Sequence, residues 1–245
     1  MKHAIAAALL AFAPSALAAG TTEVWYPTVV NADGLNGARY YSVLSVKNPT
    51  DQPITLSVAG FVSNRDGLSA PSATVSVEIP ARTQATVPNV LGSLFGGLKG
   101  LAAARIQADG PALFFHSVVN DHGAEGKGTT LLKVDNARGA NVLSQGTLLQ
   151  LSNARDLDRA SGVGTRTNIG YFNPGFEAKS ALFRAWTPDG RLIGEARRSI
   201  PAWSQVQEPV FSLIPPSTAG DTRHADFYVT FEVEGGGLLV YSTVV

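Results

Sequence analysis

Three histidines lie beyond the first few residues: His116, His122 and His224. His122 follows Asp121, and His224 sits between Asp221 and Asp226, so both loop histidines have an acid nearby. Neither has a second histidine at the spacing of a zinc pair. A Ser-His-Asp triad does not need adjacent members, but the sequence has no G-x-S-x-G nucleophile turn. His116 falls within Leu113-Phe-Phe-His-Ser117 and is expected to be a sheet-face aromatic substitute. Gly123-Ala-Glu-Gly-Lys-Gly-Thr-Thr130 resembles a phosphate loop only superficially, because Asp121 stands where the Walker pattern needs its first glycine. Asn31-Ala-Asp-Gly-Leu-Asn-Gly37 alternates oxygen ligands as calcium loops do, but it has no downstream bidentate glutamate. The matching Asp156-Leu-Asp-Arg-Ala-Ser-Gly162 is interrupted by Arg159. The chain therefore reads as a non-enzyme that needs no cofactor and no metal.

The aromatic residues are the better candidates. In Ile200-Pro-Ala-Trp-Ser-Gln-Val-Gln207, Ile200, Ala202 and Val206 share one face, which puts Trp203 with Gln205 and Gln207 on the polar one. Arg82 is the counterpart of Trp203 in the earlier half of the chain, so this position is expected to be exposed. Trp203, Gln205 and Arg82, with Tyr40 and Tyr41, form the candidate binding surface, either as interface anchors or as a sugar-stacking platform. A Trp lying over a sheet edge or an inter-domain seam is the competing reading of Trp203. Trp186, matching Phe61, is expected in a core.

The elements that position these residues follow from composition and repetition. The chain has 245 residues, no cysteine and no formal net charge. Disulfides and thiolate metal sites are impossible, and the charge is not that of a nucleic-acid binder. Residues 1–18 read as a signal peptide: Lys2 and His3, an apolar run Ala4–Ala13, a break at Pro14-Ser15, then Ala16-Leu17-Ala18. No later stretch is long and apolar enough to be a transmembrane segment. The expected compartment is extracellular, cell-surface or periplasmic.

Residues 165–245 repeat residues about 125 positions earlier. Asn173-Pro174 answers Asn48-Pro49, Ile200-Pro201-Ala202 answers Ile79-Pro80-Ala81, Gln205 answers Gln84, and Ser212-Leu213 answers Ser93-Leu94. Leu238–Ser242 is aligned with Leu113–Ser117, which places His116 at the position of Tyr241. Short alternating runs such as Ile54, Leu56 and Val58, with turn residues every eight to twelve positions, predict antiparallel β-sandwiches. Asn89–Phe95 predicts one helical turn capped by Asn89. Pro27 predicts an edge position or a strand switch in the first strand. The division expected is a signal peptide (1–18), a first domain (19–135), a linker (136–144) and a second domain (145–245).

The run Arg166-Thr-Asn-Ile-Gly-Tyr-Phe-Asn-Pro-Gly175, followed by Pro188-Asp-Gly190, Ile200-Pro-Ala202 and Gly235-Gly-Gly-Leu-Leu-Val-Tyr-Ser-Thr-Val-Val245, resembles bacterial extracellular immunoglobulin-like repeats. That resemblance implies an all-β fold of two tandem immunoglobulin-like antiparallel β-sandwich domains. It also implies a non-catalytic structural or adhesion role with a protein or glycan partner at the cell surface, and self-association is possible. The alternatives are a carbohydrate-binding module using exposed aromatics, and a filament subunit donating Val24–Val30 or Leu238–Val245 to a neighbour.

Overall fold

A computed structural model describes residues 21–34, 37–64, 73–121, 142–154 and 165–244, and the backbone of 129–134. The expected signal peptide, His122, the glycine loop before Thr129, most of the linker and the loop 156–162 lie outside the described residues. The protein is all-β, and the two helices among the described residues are single turns.

The first repeat comprises β1 (Thr22–Asp33), β2 (Arg39–Lys47), β3 (Ile54–Val62), β4 (Ala73–Ile79), β5 (Gln84–Val87), α1 (Val90–Leu94), β6 (Gly100–Ala108), β7 (Leu113–Asp121) and β8 (Thr129–Val134). One layer has the order β4-β3-β6-β1. The other has β5-β2-β7-β8, and a short β1–β2 pairing joins the two layers into one bent sheet. The alternation read from sequence holds. Leu44, Val46, Leu56, Val58, Ile106 and Phe114 fill the space between the layers. Asn89 caps α1 as expected, with Oδ1 accepting from Gly92 N at 3.1 Å.

The second repeat comprises β9 (Gln145–Asn153), β10 (Thr167–Phe172), β11 (Lys179–Trp186), β12 (Leu192–Ile200), β13 (Gln205–Pro209), α2 (Val210–Leu213), β14 (His224–Glu234) and β15 (Leu239–Val244). Its layers are β12-β11-β14-β9 and β13-β10-β15. Ile169, Tyr171, Phe183, Phe227, Val229 and Phe231 are among the residues filling its core.

The strand connections differ from the immunoglobulin order, in which the first strand runs beside the second and the seventh beside the sixth. Here β1 runs mainly beside β6, and β7 beside β2. Likewise β9 runs beside β14, and β15 beside β10. The physical cause is the link between the sixth and seventh strands. Asp109-Gly110-Pro111 in one repeat and Gly235-Gly236-Gly237 in the other do not close a hairpin. They carry the chain across to the opposite layer, with Gly235 and Gly236 both at positive φ.

Pro27 marks a bulge inside the sheet. One extra residue sits between Tyr26 and Val29 opposite Ala104 and Ala102. The same bulge recurs between Leu148 and Leu151 opposite Val229 and Phe227. Val24–Val30 pairs with β6 along one side, while β2 meets β1 only at Asn31–Asp33, so the stretch expected as a possible donor to a neighbour is paired here within its own chain.

Register also corrects one equivalence. Leu44 and Ile169 both stand four residues before the matched asparagines, and they face His116 and Ser242 respectively. His116 therefore corresponds to Ser242, Phe115 to Tyr241, and Leu113 to Leu239.

Both asparagines serve as buried clasps. Asn48 Nδ2 donates to the carbonyls of Gln52 (2.7 Å), Ile79 (3.1 Å) and Pro80 (3.1 Å), and Oδ1 accepts from Thr50 N at 2.9 Å. Asn173 Nδ2 donates to Glu177 (2.8 Å), Ile200 (3.1 Å) and Pro201 (3.1 Å), and Oδ1 accepts from Gly175 N at 2.9 Å. A buried carbonyl without a donor is costly, so each asparagine fixes the turn that presents the residue three positions after Ile79 or Ile200. Those two residues are Arg82 and Trp203, both left-handed at φ 59° and 55°.

Candidate functional site

The outer face of the β4-β3-β6-β1 layer carries Trp25, Ala59, Phe61, Ala103 and Arg105, which pair across neighbouring strands. The outer face of β13-β10-β15 carries Phe172, Gln205, Leu239 and Tyr241. These two faces meet. Ala59, Phe61, Ala103, Phe172 and Leu239 form a third buried apolar cluster, with Trp25 and Trp203 packed against it. Phe61 stacks on Trp203 at 5.1 Å and 9°, and Phe172 sits 5.1 Å from Phe61 and 5.6 Å from Trp25. The Arg105 guanidinium lies 5.6 Å from the centre of the Trp25 ring, a cation–π arrangement. The two repeats are thus joined by a core of their own.

Polar groups complete the seam. Asn64 N donates to Gln205 O at 2.9 Å, extending the end of β3 onto the start of β13. Gln205 Nε2 donates to the Tyr241 hydroxyl, which donates to Gln207 Oε1, both at 2.9 Å. Tyr241 also hydrogen-bonds the Thr28 side chain across the seam. Burial pushes its phenol above the ordinary tyrosine range, so it remains a donor. Its ring lies across Gly170, where a Cβ would overlap it.

The sequence candidates separate accordingly. Gln205 is fully buried and Trp203 half-buried, so the expectation of an exposed polar face here is corrected: the second face of β13 is covered by the other repeat. The seam reading of Trp203 is the one that the geometry carries. Arg82 stays exposed and pairs with Asp51 at 2.6 Å, holding that carboxyl below the usual carboxylate range. Phe176 occupies the place of Asp51 in the second repeat, edge-on to Trp203 at 5.0 Å and 86% exposed. An ion pair in one copy is thus an aromatic pair in the other. Tyr40 and Tyr41 lie near the start of β2, opposite Asn120 and Val119, away from the other three.

Trp186 is not in the core. It lies on the outer face of β12-β11-β14-β9, stacked on Tyr228 at 6.4 Å and 15°, and its Nε1 donates to Thr230 Oγ1. Leu192 pairs across from it, and Leu149, 68% exposed, sits at the bulge beside Tyr228. An apolar stripe therefore crosses all four strands. Its signal was the alternation itself: with Ala181, Phe183 and Ala185 inward, Trp186 must point outward.

Among the described residues, the histidines and Asn31 have partners of their own. His116 is buried, its Nε2 2.9 Å from Ser42 Oγ and its ring 4.6 Å from Tyr26, and desolvation pushes its pKa down to about 4. His224 Nε2 lies 3.1 Å from Asp221, between Phe211 and Phe227. Asn31 is buried, donating to Leu98 O and accepting from Asn89, so it is not offered to a cation. Among the described residues no group of three or more His, Cys, Asp or Glu could hold a metal ion, and no helix is long and apolar enough to cross a membrane.

Fold and site together define an all-β protein of two fused repeats. No family model matches the chain, and no curated protein matches it. Among solved structures it is similar to the Anabaena sensory rhodopsin transducer, with 13% identity over 42% of this chain and 98% of that one and a TM-score of 0.34. It is also similar to the PBSX exported protein XepA, with 14% identity over 94% of this chain and 85% of that one and a TM-score of 0.25. Likenesses of that size carry no argument about function.

Proposed function

We propose that this is a non-catalytic, exported structural protein, a stiff two-module unit of an extracellular or cell-surface assembly. The observation that carries this reading is the third apolar core. Its aromatic residues hold the two repeats together, and among the described residues His116 and His224 are engaged in packing and loop hydrogen bonds. The apolar run and Ala16-Leu17-Ala18 at the start of the chain support export.

Two measurements test it. Expression in a bacterial host, with fractionation and N-terminal sequencing, is expected to yield an exported protein starting near Ala19. Retention in the cytoplasm with Met1 intact overturns the export reading. Distance measurements between spin labels on β4 and β12 are expected to give one narrow distribution. A broad one overturns the stiff-unit reading.

A further inference from the structure

The two repeats allow each face to be compared with its counterpart, and the comparison is asymmetric. Strand register makes Trp186 the counterpart of Phe61, Tyr228 that of Ala103 and Arg184 that of Ala59. In the first repeat these positions are the floor of the seam and are buried. In the second repeat the same floor is uncovered: Trp186 and Tyr228 are half-buried and Leu149 is exposed.

The converse holds on the other layer. Phe172, Gln205 and Leu239 are each fully buried by the seam. Their counterparts Lys47, Gln84 and Leu113 line a shallow hollow of about 210 Å³ with Ser45 and Phe115, and Leu113 is 50% exposed. Among the described residues, the molecule thus carries a complete repeat-to-repeat joint in its middle and a bare half of that joint at each end.

We infer that the occupant of each bare half is a second copy of this chain, joined head to tail: the β5-β2-β7 face of one copy seats on the β12-β11-β14-β9 face of the next. The joint inside the chain supplies the template, and the substitutions between repeats suit it. Trp203 stacks on Phe61 within the chain; between copies Arg82, in the same left-handed turn, stacks on Trp186, replacing an aromatic pair by a cation–π pair. Leu113 covers the Trp186–Tyr228 pair as Leu239 covers Phe61 and Ala103. Tyr241 reaches Thr28 at the bulge of β1, so Phe115 reaches Leu149 and Gln150 at the bulge of β9. The bare floor carries Glu195 and Glu232 paired with Arg184, and Glu234 paired with Arg197, while the incoming face brings Lys47 and the Arg82–Asp51 pair, so the charges at this contact are already matched within each face and the apolar residues carry it. The two halves differ, so the contact is heterologous and leaves a free half at each end, which permits open-ended growth. This goes beyond the structural role proposed above, since it names the partner, and it stands or falls separately from export.

The test is sedimentation and light scattering of the mature protein, residues 19–245, from micromolar to millimolar concentration. The expected result is a mass that rises through successive multiples. Leu113→Asp and Trp186→Asp each block one half, are on the surface, and are expected to stay monomeric alone with unchanged circular dichroism. Mixed, they are expected to form a dimer that grows no further, because one variant retains each half. Arg82→Glu is a milder variant, expected to weaken association by roughly tenfold. A wild type that stays monomeric throughout overturns the inference, as does a closed dimer, or blocked variants that fail to pair. A monomer whose binding on a glycan array is lost in Trp186→Ala assigns the stripe to sugars instead, which also overturns it.

Discussion

His116 couples the first core to pH. Val30 N donates to Ser42 Oγ at 2.9 Å, and Ser42 in turn meets His116 Nε2. The ring is neutral in the folded state because burial disfavours its charged form. Its folded pKa of about 4 lies below the ordinary histidine value of about 6.5, so between these values the unfolded chain binds more protons. Stability from this group is complete above about pH 6.5 and is lost as pH falls toward about 4, by about 3 kcal/mol. Urea denaturation of wild type and His116→Gln over that range checks this: the variant is expected to lack most of the slope, and equal slopes would refute the assignment. The asparagine clasps are expected to matter more than any surface residue. Asn173→Ala removes the side-chain donor from the buried carbonyl of Ile200 and one of two donors from that of Pro201, which keeps Ser204 N, for a loss on the order of 1–3 kcal/mol. The urea midpoint is expected to fall with its slope on denaturant unchanged. Asn48→Ala is expected to do the same chiefly through Ile79, because Pro80 O keeps Thr83 N and Thr83 Oγ1 as donors.

The outer face of β10 and β15 shows how a strand is specialised for the seam. Gly170 leaves room for the Tyr241 ring to lie flat, which brings its hydroxyl to Gln205, Gln207 and Thr28. Gly170→Ala is expected to lift that ring and cost about 1–3 kcal/mol, as overpacking does. Thermal denaturation of Gly170→Ala beside Ser45→Ala, its counterpart on the bare face, measures the difference, and only the first is expected to lower the midpoint. Much of this level was legible in the sequence. Alternation located the strands of both repeats, and the matched turns paired Arg82 with Trp203. Three features were not legible, each for a physical reason. Strand order depends on which layer a strand joins after a loop, and Gly110-Pro111 permits either a hairpin or a crossing. The one-residue shift of His116 against Tyr241 arises because the apolar run Leu113–Phe115 fits two registers equally well. The burial of Gln205 and Phe61 comes from the other repeat, and a strand's own pattern records only that a residue points away from its own core.

Joining the repeats through aromatic residues makes the chain's cooperativity a whole-molecule property. Phe172 and Leu239 of one repeat, and Phe61 and Ala103 of the other, are almost wholly removed from water only while both repeats are folded. Unfolding either repeat exposes this cluster on its partner, so the partner loses stabilisation in the same event. The seam is therefore expected to merge two transitions into one, and calorimetry of the wild type is expected to give a calorimetric enthalpy equal to the van't Hoff value. Phe172→Ala removes the ring between Phe61 and Trp25, at a cost of about 3–5 kcal/mol. Because Phe172 points away from the core of its own repeat, that loss falls on the coupling between repeats. The variant is expected to show two resolved transitions, with the Trp25 and Trp203 fluorescence change following the earlier one. Two transitions already present in the wild type, or a single one that merely shifts in Phe172→Ala, would mean that the repeats are coupled elsewhere. The same coupling bears on assembly: a joint strong enough to fuse two repeats within a chain needs only its surface counterpart, Trp186 and Leu113, to extend that fusion from one molecule to the next.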